Sequence, residues 1–96
     1  MRSKVLNENG ERTFALIFET DEDPMRGLTR FANEYHLGAS RFTAIGAFSE
    51  VVLGYFDWQK KDYERIPFKE QMEVLSLVGD IANEGNRAKV HAHVVL

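Results

Sequence analysis

"TDEDPMRGLTRFANEYHLG", residues 20 to 38, decides the fold class, because it is the one stretch with helical grammar in a chain otherwise patterned for strands. Asp23 can cap the free amides of a first turn, Pro24 suits the first helical position, and the acidic run Asp21-Glu22-Asp23 suits the positive end of a helix dipole. Met25, Leu28, Phe31, Ala32 and Tyr35 recur at helical spacing and make one apolar stripe. Gly38 is expected to supply the left-handed stop.

On its N-terminal side, Asn9-Gly10 is a strong hairpin signal, since both residues tolerate positive φ. It lies between "SKVL" (3–6) and "RTFALIFE" (12–19). In the second segment Phe14, Leu16 and Phe18 alternate with Ala15, Ile17 and Glu19, so both faces are mostly apolar and a central strand is expected. On the C-terminal side come "SRFTAIGAFSEVVLGYFD" (40–57), "DYERIP" (62–67), "EQMEVLSLVGDIA" (70–82) and "AKVHAHVVL" (88–96), each rich in β-branched or aromatic residues. The stretches between them are too short for helical crossovers, which makes neighbouring strands antiparallel. The predicted class is α+β: a mainly antiparallel sheet of about six strands with one principal helix. Gly46 and Gly54 interrupt strand patterns and mark bends, bulges or close approaches, and Pro67 marks an edge or a strand end.

The chain has 96 residues, 44% of them hydrophobic and 28% charged, the composition of one globular domain. A domain of this size buries only about 60 to 68% of the surface its unfolded chain exposes, so association with other subunits would help it. No apolar run approaches the roughly 18 to 20 residues of a membrane span, and "MRSKVLNENGER" lacks the apolar core of a signal peptide, so the expectation is a cytoplasmic protein. There is no cysteine, which removes disulfides, thiolate zinc sites and cysteine nucleophiles and leaves His, Asp and Glu as metal ligands. The net charge is -3, whereas a dedicated nucleic-acid binder usually carries a basic stripe. Lys60-Lys61 is the nearest thing to a basic cluster and reads as a solvated turn.

Chemistry concentrates in "VHAHVVL" (90–96). Residues two apart in a strand share a face and lie about 6.6 to 7 Å apart, so His91 and His93 can both turn toward one ion. Two ligands do not make a zinc site, which takes at least three protein ligands; the other donors are His36 and carboxylates such as Glu50, Glu73 and Asp80. From spacing alone, a polar strand face outweighs a metal site. There is no P-loop, dinucleotide fingerprint, Gly-x-Ser-x-Gly elbow or His-Glu-x-x-His helix. Tyr55 and Trp58 could stack on a ligand, though aromatics around a turn are more often packing residues. Nothing in the residues alone identifies an enzyme.

Taken in order, Ala44-Ile45-Gly46-Ala47, Leu53-Gly54-Tyr55-Phe56, Glu73-Val74-Leu75-Ser76-Leu77 with Gly79, and the His91-x-His93 strand resemble the plant and prokaryote conserved domain, called PPC or PCC. The resemblance runs from about Thr13 to Leu96. It implies an α/β domain with a mainly antiparallel sheet that assembles as a homotrimer. Plant members stand beside AT-hook motifs in nuclear, DNA-associated proteins; prokaryotic members stand alone and are often labelled DNA-binding. The pieces that carry the resemblance also mark Glu73, Gly46 and Tyr55 as binding residues.

Departures are visible too. Where the plant form reads Gly-Arg-Phe-Glu-Ile-Leu, this chain has Glu70-Gln71-Met72-Glu73-Val74-Leu75, and the AT-hook core Arg-Gly-Arg-Pro is absent. Prokaryotic members continue past the His-x-His strand to a Gly-Gly-His segment, and the three histidines together resemble a metal site for zinc or another divalent ion. The expectation is therefore one PPC-like domain over 1–96, without its C-terminal strands. His91 and His93 supply two of the ligands, and the apolar face of Val90, Ala92, Val94 and Leu96 awaits more chain or another subunit. Two functions follow: a trimeric PPC-type binding or regulatory module acting on protein partners or DNA, or a metal-dependent enzyme or small-ligand binder built on His91 and His93. A structural oligomer whose histidines face solvent is the third.

Overall fold

A computed structural model describes all residues from Met1 to Leu96. The elements follow in the order β1 (Arg2–Asn7), β2 (Thr13–Ile17), α1 (Pro24–Glu34), β3 (Ala39–Phe48), β4 (Val51–Asp57), β5 (Asp62–Phe68), β6 (Met72–Glu84) and β7 (Arg87–Val95). The seven strands form three sheets, β1-β2, β3-β6-β7 and β4-β5. The expected single strand over 40–57 is two strands, because the chain bends at Ser49-Glu50 and leaves one sheet for another. The chain divides into two compact units, Met1–Arg41 with Asp80–His91, and Phe42–Gly79 with Ala92–Leu96.

In the first unit the opening hairpin is present, with Val5 opposite Phe14, Lys4 opposite Ala15 and a register shift between Val5 and Asn7. Its turn is longer than Asn9-Gly10 alone. Gly10 takes positive φ (83°), while the Asn7 side chain accepts from the Asn9 amide at 3.2 Å and donates to the Glu11 carbonyl at 3.0 Å. That arrangement is an Asx turn, in which a short polar side chain stands in for backbone. β2 is not central: its only hydrogen-bonded neighbour is β1. Its apolar residues instead meet α1, where Phe14 packs edge-on to Phe31 at 5.1 Å and Phe31 stacks on Tyr35 at 4.4 Å.

The N-terminus of α1 is capped as the sequence predicts, with Asp23 Oδ1 accepting from the amides of Met25 (2.9 Å) and Arg26 (3.5 Å) and Pro24 in the first turn. Leu28, Phe31 and Ala32 are buried, while Met25 and Tyr35 at the ends of the stripe stay partly exposed. The stop differs from the expectation. His36, with φ 55°, takes the left-handed position, and the Leu37 amide donates to the Ala32 carbonyl at 2.9 Å. This is the long bond of a Schellman turn, and histidine is among the few residues that tolerate it. Arg12 Nη2 donates to the Tyr35 carbonyl at 3.0 Å and satisfies another free acceptor of the last turn. Gly38 is needed for space: a Cβ there would overlap the side chain of Asn83. That contact sets the start of β3 beside the end of β6, so the two strands run antiparallel. β6 and β7 are joined by the two-residue turn Gly85-Asn86, with Gly85 at φ 65°, and are antiparallel in turn.

In the second unit β4 and β5 pair antiparallel, from Val51 opposite Phe68 to Asp57 opposite Asp62. Asp57 Oδ1 organises the turn by accepting from the amides of Gln59 and Lys60 at 2.9 and 3.2 Å. Phe56 meets Trp58 and Tyr63 edge-on, both at 5.2 Å. The Tyr63 ring lies 3.3 Å from where a Gly54 side chain would begin, the close approach expected there. Pro67 sits near the end of β5, opposite Val52. The only buried hydrophobic residues of this unit are Val74 and Leu77 on β6.

Candidate functional site

β7 places the two histidines. Along Arg87–Val95 exposure alternates strictly, with Ala88, Val90, Ala92 and Val94 half-buried and Arg87, Lys89, His91 and His93 exposed. The period-two pattern of the sequence is thus realised, and both imidazoles share the outer face. The same face carries Arg87 and Lys89, so four successive outward positions hold a cation or an imidazole. Lys89 Nζ lies 3.1 Å from Glu84 Oε2, with both side chains about 70% exposed, a surface pair of little energy. Lys60 and Lys61 are adjacent in the sequence, whereas Arg87 and Lys89 are two apart. Their signal is Arg-x-Lys-x-His-x-His at strand spacing.

No group of three or more His, Asp or Glu side chains is arranged to hold an ion. His36 serves the end of α1, and neither Glu50, Glu73 nor Asp80 completes a set with the β7 pair. The donors on this chain therefore amount to two imidazoles, fewer than a zinc site requires.

The three other marked residues do not form one cluster. Glu73, on β6, lines an open hollow of about 580 Å³ with Phe68, Met72, Leu75 and Leu96. Four apolar side chains and one carboxylate make up its lining. Gly46, on β3, and Tyr55, on β4, do not line it. Nothing lies within 4 Å of where a Gly46 side chain would begin, and Tyr55 is 62% exposed opposite Glu64. One carboxylate is electrostatically displaced: the Met1 ammonium, followed by the Glu19 amide, holds Glu22 below the usual carboxylate range. Its partner is the Met1 ammonium, with which it forms an ion pair.

The sequence profile of the Plants and Prokaryotes Conserved (PCC) domain matches residues 6–96. The chain belongs to the PCC domain family. Among curated proteins none matches this PCC chain. Several solved structures share its fold. A metal-containing protein from Archaeoglobus fulgidus is 32% identical, with a TM-score of 0.76 over 80% of this chain and 55% of that one. A plant- and prokaryote-conserved (PPC) protein from Pyrococcus horikoshii is 30% identical, with a TM-score of 0.70 over 73% and 49%. A "putative DNA binding protein" from Bacteroides thetaiotaomicron is 30% identical, with a TM-score of 0.68 over 72% and 48%. The PCC chain spans about half the length of these structures. No helix in it is long and apolar enough to cross a membrane.

Proposed function

We propose that this PCC chain is the binding module of a homotrimeric, DNA-associated regulatory protein, and that the outward face of β7 meets the phosphates. Family membership over residues 6–96 supports the reading, together with the naming of the Bacteroides neighbour. The observation that carries it is the row Arg87, Lys89, His91, His93 on one exposed strand face. The overall charge of -3 opposes binding, so affinity rests on this local row and is strongest at low salt. Anisotropy of labelled duplex DNA, titrated over salt, tests it. Replacing Arg87 and Lys89 with alanine leaves up to two phosphates without a cation, and flattens the slope of log K against log salt by roughly 0.9 for each of them. Absence of binding at low salt ends the DNA reading.

A second reading is favoured by the shared face of His91 and His93 and by the metal-containing Archaeoglobus neighbour. In it the two imidazoles contribute to a zinc or other divalent site whose further ligands come from outside this chain. A bound metal would act there as a Lewis acid or a structural clamp. Elemental analysis of untagged protein beside the His91→Ala/His93→Ala variant decides it: metal in the first and not the second supports these ligands, and equal metal in both removes them.

A further inference from the structure

Asparagine is among the chemically labile residues, and the five in this chain are not equally placed. Asn7, Asn33 and Asn83 precede glutamate and Asn86 precedes Arg87, whereas Asn9 precedes Gly10. A following glycine leaves the asparagine side chain open to attack by the next backbone nitrogen, because no Cβ crowds the approach. The fold leaves this pair unguarded. Asn9 and Gly10 are both exposed, at the tip of the β1–β2 hairpin and outside either strand. Asn7 holds the backbone amide and carbonyl of Asn9 at 3.2 and 3.5 Å, but the Asn9 side-chain amide takes part in neither bond. The Gly10 nitrogen forms no turn hydrogen bond, and nothing lies within 4 Å of where a Gly10 Cβ would begin. Other asparagine side chains are engaged: Asn33 Oδ1 accepts from the Ala88 amide at 2.8 Å, and Asn83 packs against Gly38.

We propose that Asn9 is a site of spontaneous deamidation, and that its isoaspartate product loosens the β1–β2 hairpin. The Gly10 nitrogen gives up its proton to solvent base and bonds to Asn9 Cγ; the Cγ–Nδ2 bond breaks and that nitrogen leaves as ammonia, closing a cyclic imide. Water then opens the imide. Attack at Cγ breaks its bond to the Gly10 nitrogen and leaves aspartate on an unaltered backbone. Attack at the Asn9 carbonyl carbon breaks the original peptide bond instead, so that the chain runs through Cβ and Cγ and the α-carboxylate hangs free. Nothing is oxidised or reduced, and either product adds one negative charge to a chain of net charge -3.

The two products differ at the turn. Aspartate keeps the Asn9 amide and carbonyl where Asn7 holds them. Isoaspartate lengthens the backbone by one carbon between Asn7 and Glu11, whose carbonyl takes the closing bond from Asn7 Nδ2 at 3.0 Å. Little else secures the strand on the N-terminal side of that bond. β1 has β2 as its only hydrogen-bonded neighbour, all six of its residues are exposed, and its ladder already shifts register between Val5 and Asn7. A two-stranded ribbon has little stability of its own, so Arg2–Asn7 is the segment released.

Peptide mapping by mass spectrometry tests the site on the 96-residue chain aged in mildly acidic and mildly alkaline buffer. The expected result is exchange of NH2 for OH at Asn9 ahead of the other four asparagines, faster at alkaline pH, with aspartate and isoaspartate told apart by electron-transfer fragmentation. In Asn9→Gln the change at this position is lost. A sample kept unfolded in urea is the reference: conversion of Asn9 there but not in the folded chain would show that the hairpin protects it, and overturns the site. Conversion of all five asparagines at one rate overturns it as well. Amide hydrogen exchange on the aged protein beside Asn9→Asp tests the loosening. Protection lost through Arg2–Asn7 in the aged protein and kept in the variant supports it; equal protection in both overturns the loosening and leaves the site standing.

Discussion

Two glycines show how a residue's role can be hidden from sequence. Gly27 lies in the middle of α1, where alanine would ordinarily be favoured by about 1 kcal/mol. A Cβ at that position would run into the ring of Phe18, which is half-buried. The expected outcome of Gly27→Ala is therefore a destabilisation of about 1 to 3 kcal/mol, the range for overpacking, and chemical denaturation measures it. In a Phe18→Leu background the effect shrinks or reverses; an unchanged effect would place its cause elsewhere. Gly38 was legible as a special position but for the wrong reason, because the stop of α1 falls on His36 and the constraint on Gly38 comes from Asn83, 45 positions along the chain. Contacts of that sequence separation leave no trace in local spacing. Glu22 makes the residue-scale pH prediction. Its pKa is lowered in the folded chain, so its pairing with the Met1 ammonium stabilises the fold above the ordinary carboxylate range, and that stabilisation disappears as pH falls through the lowered value. Melting temperature followed from pH 7 downward should therefore separate less and less from that of Glu22→Gln.

At the scale of elements, what was legible had a local cause. The cap of α1 was readable because Asp23 and Pro24 act within one turn, and Asp23→Ala should cost about 1 kcal/mol, read as a shift of the denaturation midpoint. The alternation in β7 was readable because period two needs only the strand itself. The break at Ser49-Glu50 was not, since apolar and β-branched residues continue on both sides and neither glycine nor proline marks the bend. The demotion of β2 from a central strand has a similar origin. A strand with two apolar faces reads as sheet interior, yet one face can be satisfied by a helix, as Phe14 is by Phe31 and Tyr35.

For the whole molecule, the family was legible because several short motifs recur in a fixed order, which is far more specific than any of them singly. The candidate site was legible only in its histidines, since whether strand residues gather into a site depends on neighbours that spacing does not name. Only six hydrophobic side chains are buried, Leu28, Phe31, Ala32, Val74, Leu77 and Ile81, and none of the large ones completely. The homotrimer proposed above would make stability concentration-dependent. The melting temperature should accordingly rise with protein concentration, and a midpoint constant over a hundredfold dilution, measured by scanning fluorimetry, would show that a single chain suffices.

The β4–β5 turn has a practical consequence. Trp58 is the sole tryptophan, 82% exposed and edge-on to Phe56. Its indole emission therefore reports from one known place, with no second tryptophan to separate. A shift to shorter wavelength on adding a ligand, a nucleic acid or a protein would mean that something has come to rest on that hairpin, and an unmoved spectrum would direct attention to the other faces of the chain.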